Sequence, residues 1–337
     1  MARTKAEKEK MEAQPGIAPS RYRRVMDQTH LRAKFLGGMV GSALGDAIGE
    51  IAFRWPDEAD VRSEAARKRT LIYTDDTAMA IGLAESITQV GDIDPQHLGD
   101  TFRANFWRET WRGYASGPPT IFTLVGERGI SYAEAAASLF GGQGSFGNGA
   151  AMRVAPVGLF FYDAPDLYEK ARLSAFVTHA HPIGVDGAAV LAWAIAQAVK
   201  LDPQAPFPFE DFAQGLADFA RTREMRTKIA LLRALIAEDV LPQDAARRLG
   251  RTVAMHESLP FALYAFLRHP RSYEECLLCA ILNGGDRDTL GAMACAVSGA
   301  YLGVEAIPQA WREKLEKREY IENLALRLVD TRGQEEG

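Results

Sequence analysis

The sequence predicts an all-α fold on three observations. From His30 onward nearly every apolar segment is longer than a strand, the segments are rich in alanine and glycine, and none shows the valine and isoleucine alternation of a sheet. With 337 residues, 47% of them apolar, the chain can bury a large core without disulfide staples.

The segments follow in order. Residues 1 to about 24 are rich in Lys, Glu and Arg and contain Pro15 and Pro19, so they are expected to stay disordered and to leave residues 25–330 as a single helical domain. Around Phe35 to Gly49, glycines 37, 41, 45 and 49 recur at four-residue steps, which leaves one helix face almost bare. Gly291, Cys295, Gly299 and Gly303 repeat the device, so two central helices are expected to pack backbone to backbone. Ala188 to Val199 is the longest largely apolar run, shorter than the roughly 20 residues a bilayer span needs, and reads as a buried helix of a soluble protein. Leu201 to Met225 and Leu241 to Arg251 are more polar, carry Pro203, Pro206, Pro208 and Pro242, and read as loops joining peripheral helices.

Charge and cysteine content narrow the function. The net charge of -5, from 44 acidic and 39 basic residues without a basic block, argues against a nucleic-acid partner. No membrane association is expected. Three cysteines, 276, 279 and 295, make no disulfide framework and fit the cytoplasm, and the charged first ten residues offer no signal-peptide core. The Cys276/Cys279 pair lies in an apolar run with no second pair, so both read as core thiols rather than zinc ligands.

Two acidic motifs carry the chemistry. Tyr73-Thr74-Asp75-Asp76-Thr77 stands at the start of a helical segment. One carboxylate there is accounted for by ordinary capping, worth about 1 kcal/mol, but two flanked by hydroxyls are not. Asn283-Gly284-Gly285-Asp286-Arg287-Asp288-Thr289 repeats the arrangement, with glycines that let the backbone bend around whatever the carboxylates hold. If the clusters meet, four carboxylates converge and must be protonated or neutralised by cations. An all-oxygen set favours Mg²⁺, Mn²⁺ or Ca²⁺ over zinc, with two Mg²⁺ first and Mn²⁺ as the alternative.

A third motif, Gly141 to Arg153, is a glycine-dense loop whose amides could cradle phosphate. It is not a dinucleotide fingerprint, because Tyr132 to Phe140 before it is alanine-rich and helical. Arg112 to Gly117 and the pair His179/His181 are weaker signals; a histidine near a helix end is more often a packing or capping residue.

In order, Gly45-Asp46-Ala47-Ile48-Gly49, Thr74 to Thr77, Gly147 to Arg153, Thr178-His179 and Gly284 to Thr289 resemble the ADP-ribosylglycohydrolase family from about His30 to Trp311. His256-Glu257-Ser258-Leu259-Pro260 and Gly144 to Gly147 look most like its serine-ADP-ribose and poly(ADP-ribose) hydrolase branch. The resemblance implies a compact orthogonal bundle of helices around a binuclear magnesium site. Thr74, Asp75, Asp76, Asp286, Asp288 and Thr289 would be the ligands, and Gly113, Gly117, Ser145, Phe146, Gly147, Asn148, Gly149 and His179 would line an ADP-ribose groove.

It also implies hydrolysis of the bond between ADP-ribose and a modified protein side chain, serine first, with arginine-linked ADP-ribose or non-catalytic sensing as alternatives. ADP-ribose or an ADP-ribosylated protein is then the partner. The branch places a glutamate seven residues after the aspartate matching Asp46, where this chain has Phe53; Glu50, about one helical turn earlier, or Asp57 or Glu58 in the following loop, is left to supply the acid, or none does, and Glu50 is the candidate taken with Asp76 and Asp288. Arg287 replaces a common threonine and either adds a cation beside the site or points to solvent.

Overall fold

The computed structural model describes residues 28–335, so the expected disordered segment 1–24 lies outside the described residues. Among them the chain is all-α, with two isolated bridges, Leu71 to Leu315 and Gly147 to Ala254, in place of strands. The helices are α1 (Gln28–Arg54), α2 (Glu58–Arg67), α3 (Asp75–Val90), α4 (Pro95–Arg108), α5 (Gly117–Arg128), α6 (Tyr132–Gly142), α7 (Ala155–Phe160), α8 (Leu167–Phe176) and α9 (Pro182–Lys200). There follow α10 (Phe209–Phe219), α11 (Arg223–Ala237), α12 (Pro242–Leu249), α13 (Met255–Arg268), α14 (Tyr273–Ile281), α15 (Arg287–Leu302), α16 (Gln309–Arg312) and α17 (Arg318–Glu335). One continuous apolar core runs from Leu31 to Val329.

The glycine faces meet as expected. α1 and α15 pack antiparallel over their length, so close that a Cβ on Gly37 would lie 2.2 Å from the Gly299 carbonyl oxygen and one on Gly45 would lie 2.2 Å from that of Gly291. At the lower end a Cβ on Gly49 would lie 2.5 Å from the Arg287 carbonyl oxygen and 2.6 Å from Asp288 Cα, so the seam delivers α1 directly to the second acidic motif. Lys34 finishes the other end: its buried ammonium donates to the carbonyls of Leu201 and Tyr301 (2.8 Å each) and of Ala198 (3.1 Å), just past or within the last turns of α9 and α15. Cations are favoured at helix C-termini for this reason.

α9 is long and apolar enough to cross a membrane by length and composition, but 78% of its apolar window is buried inside the fold. It packs against α7, α8, α13 and α15 as a core helix. The three cysteines are free and buried, as expected.

The two proline-bearing stretches are not loops throughout, and here the sequence reading is corrected. α10 lies within 201–225 and α12 within 241–251. Pro242 occupies the first turn of α12, where a missing N–H costs nothing, and Pro208 immediately precedes α10, so these prolines start helices.

Candidate functional site

Two helix starts face each other across the end of the glycine seam. α3 begins at Asp75 with Thr74 as its N-cap, yet the Thr74 side chain makes no capping bond. The cap comes from α1. Wholly buried Asp46 accepts from Thr74 N (3.0 Å), Thr74 Oγ1 (2.8 Å), Thr77 N (3.1 Å) and Thr77 Oγ1 (2.6 Å). With the orphan amides satisfied from outside, Asp75 and Asp76 are released from capping.

The second start, α15, has Asp286 as N-cap after Gly284 and Gly285 at φ of +80° and +79°, backbone that only glycine adopts easily. Asp286 N donates to Arg251 O at 2.9 Å, which pins the loop, and the Asp286 carboxylate accepts from Asn148 Nδ2 at 2.7 Å. That bond joins the glycine-rich loop to the acidic cluster. The loop itself is held on the start of α13, with Asn148 N donating to Val253 O (2.9 Å) and Met255 N to Phe146 O (3.0 Å).

The clusters meet, and they repel. Burial, then the Asp46 and Asp286 charges, push Asp75 up to about 7. Burial, then Asp286 and Asp46, push Asp288 up to about 8, while burial raises Asp46 to about 6 against its four threonine donors. Asp76 is driven well up by burial, then by Asp288, Asp46 and Asp75. Its Oδ2 is buried without a hydrogen-bond partner. An acceptor oxygen orphaned among carboxylates is what a divalent cation would satisfy, so the donor set fits magnesium. Among the described residues no three His, Cys, Asp or Glu side chains form a closed coordination cluster. The set is open, and Asp286 is partly committed to Asn148.

A cavity of about 530 Å³ opens beside these carboxylates, lined by Glu50, Arg54, Lys68, Asp75, Trp111 and Asp288 among others. Glu50 shares this cavity with Asp75 and Asp288, and its partial burial raises its carboxyl while Lys68 opposes the rise. Phe53 is 49% exposed and is absent from the lining. Gly113, at φ +93°, lies beside Asp75 Oδ1 and lines the same cavity. Next to it Arg112 is locked between the Tyr73 and Trp111 rings (3.9 and 4.0 Å) and paired with Glu316.

The loop residues reach the acidic cluster through Asn148 and do not line this cavity. Ser145 Oγ accepts from Gly147 N at 3.1 Å, and Phe146 is exposed with its ring near His181 and His256. Gly149 and Gly147 lie against His179, where a Cβ would come within 3.1 and 3.7 Å of Nε2. The two histidines divide the expected roles: His181 caps α9 by accepting from Ile183 N, and His179 is buried beside the loop. Thr289 is buried in the first turn of α15. Gly117 begins α5, with only Leu139 close by, and nothing ties it to the cluster. Arg287 neither reaches the site nor points freely to solvent; its guanidinium donates to Ile281 O at 2.5 Å. Asp46 and Arg153 are functional residues to which the sequence motifs assign no role, and the one local signal for Asp46 is a lone carboxylate in an otherwise apolar and glycine-rich helical segment.

The ADP-ribosylglycohydrolase family profile matches residues 27–337. "ADP-ribosylhydrolase ARH3" of Mus musculus is 32% identical, covering 88% of this chain and 91% of that protein. An uncharacterized protein of Archaeoglobus fulgidus is 30% identical, covering 89% and 97%. A solved chain described as an "ADP-ribosylglycohydrolase-related protein complex" superposes with TM-score 0.69 at 27% identity, covering 90% of this chain and 99% of that one.

Proposed function

As a member of the ADP-ribosylglycohydrolase family, the chain is a hydrolase of ADP-ribose conjugates, and we propose that it works with two magnesium ions and prefers serine-linked ADP-ribose on proteins. The observation that carries the metal is Asp76: wholly buried, with one oxygen unpartnered, among four other carboxylates and beside a cavity. Thr74, Asp75 and Asp76 would hold one side of the ion pair, and Asp286, Asp288 and Thr289 the other. Magnesium, when bound, orients ribose hydroxyls and stabilises charge at the anomeric centre.

The chain's own residues account for the rest. Amides of the 145–149 loop other than those of Gly147 and Asn148, which are spent on Ser145 Oγ and Val253 O, bind the diphosphate, the Gly113 backbone leaves room beside Asp75, and Asn148 fixes Asp286. Glu50 takes the place left by Phe53 and moves a proton at the leaving oxygen or at the attacking water, a role helped by a carboxyl raised toward neutrality. The leaving side chain would face the cavity rimmed by Arg54, Lys68 and Trp111. Serine preference is supported by the branch-like segments 144–147 and 256–260, which meet where the Phe146 ring lies 6.3 Å from that of His256.

The test is release of ADP-ribose from serine-linked, arginine-linked and polymeric substrates, with magnesium and then with a chelator. Magnesium-dependent release, fastest from serine, is expected. Release that survives the chelator removes the metals from the reading. No release, with magnesium-dependent binding of free ADP-ribose, turns the enzyme into a sensor.

A further inference from the structure

Arg153 is wholly buried beneath the glycine-rich loop, and among the described residues no carboxylate forms an ion pair with it, although the Asp75 charge acts on it from a distance. One terminal nitrogen donates to Gly149 O at 3.1 Å; the other donates to Ser174 O (3.1 Å) and Thr178 Oγ1 (2.7 Å). Its guanidinium lies 4.8 Å from the Phe102 ring centre. Thr178 Oγ1 in turn lies 2.7 Å from His179 Nδ1.

The direction of this chain follows from what each group can do. A guanidinium only donates, so Thr178 Oγ1 accepts from it and keeps its own hydrogen to give. His179 Nδ1 is the acceptor in reach of that buried hydroxyl. Were Nδ1 protonated, it would donate to the second lone pair of the hydroxyl, and the buried hydroxyl hydrogen would be left without an acceptor. Burial and the Arg153 charge also push His179 down to about 3, which keeps the ring neutral. A neutral ring with Nδ1 accepting carries its proton on Nε2.

We propose that Arg153, acting through Thr178, is a positioning residue that locks His179 in the Nε2–H tautomer and presents that N–H to the groove under the glycine-rich loop. Nε2 has no hydrogen-bond partner within the protein among the described residues and faces Gly147 and Gly149, whose missing side chains leave it open. It is set to donate to an oxygen of a bound diphosphate or ribose, an identification that rests on the function proposed above. The same guanidinium engages the Gly149 carbonyl, so that oxygen is satisfied beneath the loop.

Nitrogen NMR of the full-length chain, labelled at histidine and without ligand, reads the tautomer directly. The expected result is an unprotonated Nδ1 and a protonated Nε2 for His179, unchanged from pH 8 to about 5 because the ring does not titrate there. Thr178→Val, which keeps the shape and removes the relay, should give mixed tautomers and weaken free ADP-ribose about tenfold, the worth of one charge-assisted hydrogen bond. Thr178→Ser should restore both. A proton on Nδ1 in the unaltered chain overturns the proposal, whether or not the valine variant folds. So does a folded Thr178→Val with unaltered tautomer and affinity. If free ADP-ribose does not bind the unaltered chain, the proposed function fails while the tautomer measurement still decides the relay.

Discussion

Helices α3 and α11 both begin under a buried aspartate supplied by another helix. Asp46 of α1 serves Thr74 and Thr77 at the head of α3. Asp186 of α9 serves the head of α11, accepting from Arg221 N (2.9 Å), Thr222 N (2.7 Å), Thr222 Oγ1 (2.6 Å) and the Tyr168 hydroxyl (3.1 Å). At α11 the local cap is also made, since Thr222 Oγ1 accepts from Met225 N at 3.3 Å. The next residues, Arg223 and Glu224, are exposed. At α3 the remote aspartate does the whole task, and the next residues are Asp75 and Asp76, turned into a buried cluster. Capping from outside is a structural device at one helix, and at the other it frees two carboxylates for a ligand.

The sharpest way to break this contrast is to change the first turns. Asp76→Asn should lower kcat on the order of 10³-fold, the scale of losing a preorganised charge at the reacting centre, whereas Glu224→Gln should leave steady-state rates and melting unchanged. Equal losses would mean that Asp76 acts through stability. Next in size, Glu50→Gln should cut turnover about a hundredfold, as loss of a general acid or base does, with binding of free ADP-ribose kept. Unaltered turnover removes Glu50 from the chemistry.

Changing the caps comes third. Asp46→Asn and Asp186→Asn should each cost about 2 kcal/mol in denaturant titrations, because buried donors lose a charged acceptor. Only the first should also weaken magnesium, about tenfold, since Asp46 holds Thr74 and the α3 start as an outer-shell partner. An equal effect of Asp186→Asn on magnesium would end the distinction.

The smallest effect is in pH. Asp46, Asp75 and Asp288 are raised to about 6, 7 and 8, so with chelator the folded chain keeps protons that the unfolded chain has released above pH about 4. That stability is full at low pH and is lost as pH rises through 6 to 8. Magnesium bound as proposed would replace the protons, worth about 2.7 kcal/mol at a hundred times its Kd. Thermal melts at pH 5 and 8, with and without magnesium, should show the larger metal increment at pH 8.

Local patterns were legible in the sequence, and long-range pairings were not. The bare faces of α1 and α15 and the Thr74 to Thr77 and Asp286 to Thr289 helix starts follow from spacing alone, because periodicity and capping act within a few residues. The links from Asp46 to Thr74, Asn148 to Asp286 and Arg153 to Thr178 span 28, 138 and 25 positions, and nothing local announces them. Pro208 and Pro242 misled for the opposite reason: a local signal with two meanings, stop and start, was read as the first.

The contact between Gly45 and Gly291 gives the site an unusual ruler. Where most helix pairs are spaced by a layer of interleaved side chains, here two peptide backbones touch. The approach of Gly49, the neighbour of Glu50, to Asp288 is therefore set by the thickness of the main chain. Compression and heating act mainly on side-chain layers and on the voids between them. At this seam there is little for either to move, so the spacing of the acidic groups should drift less with temperature or pressure than the rest of the interior.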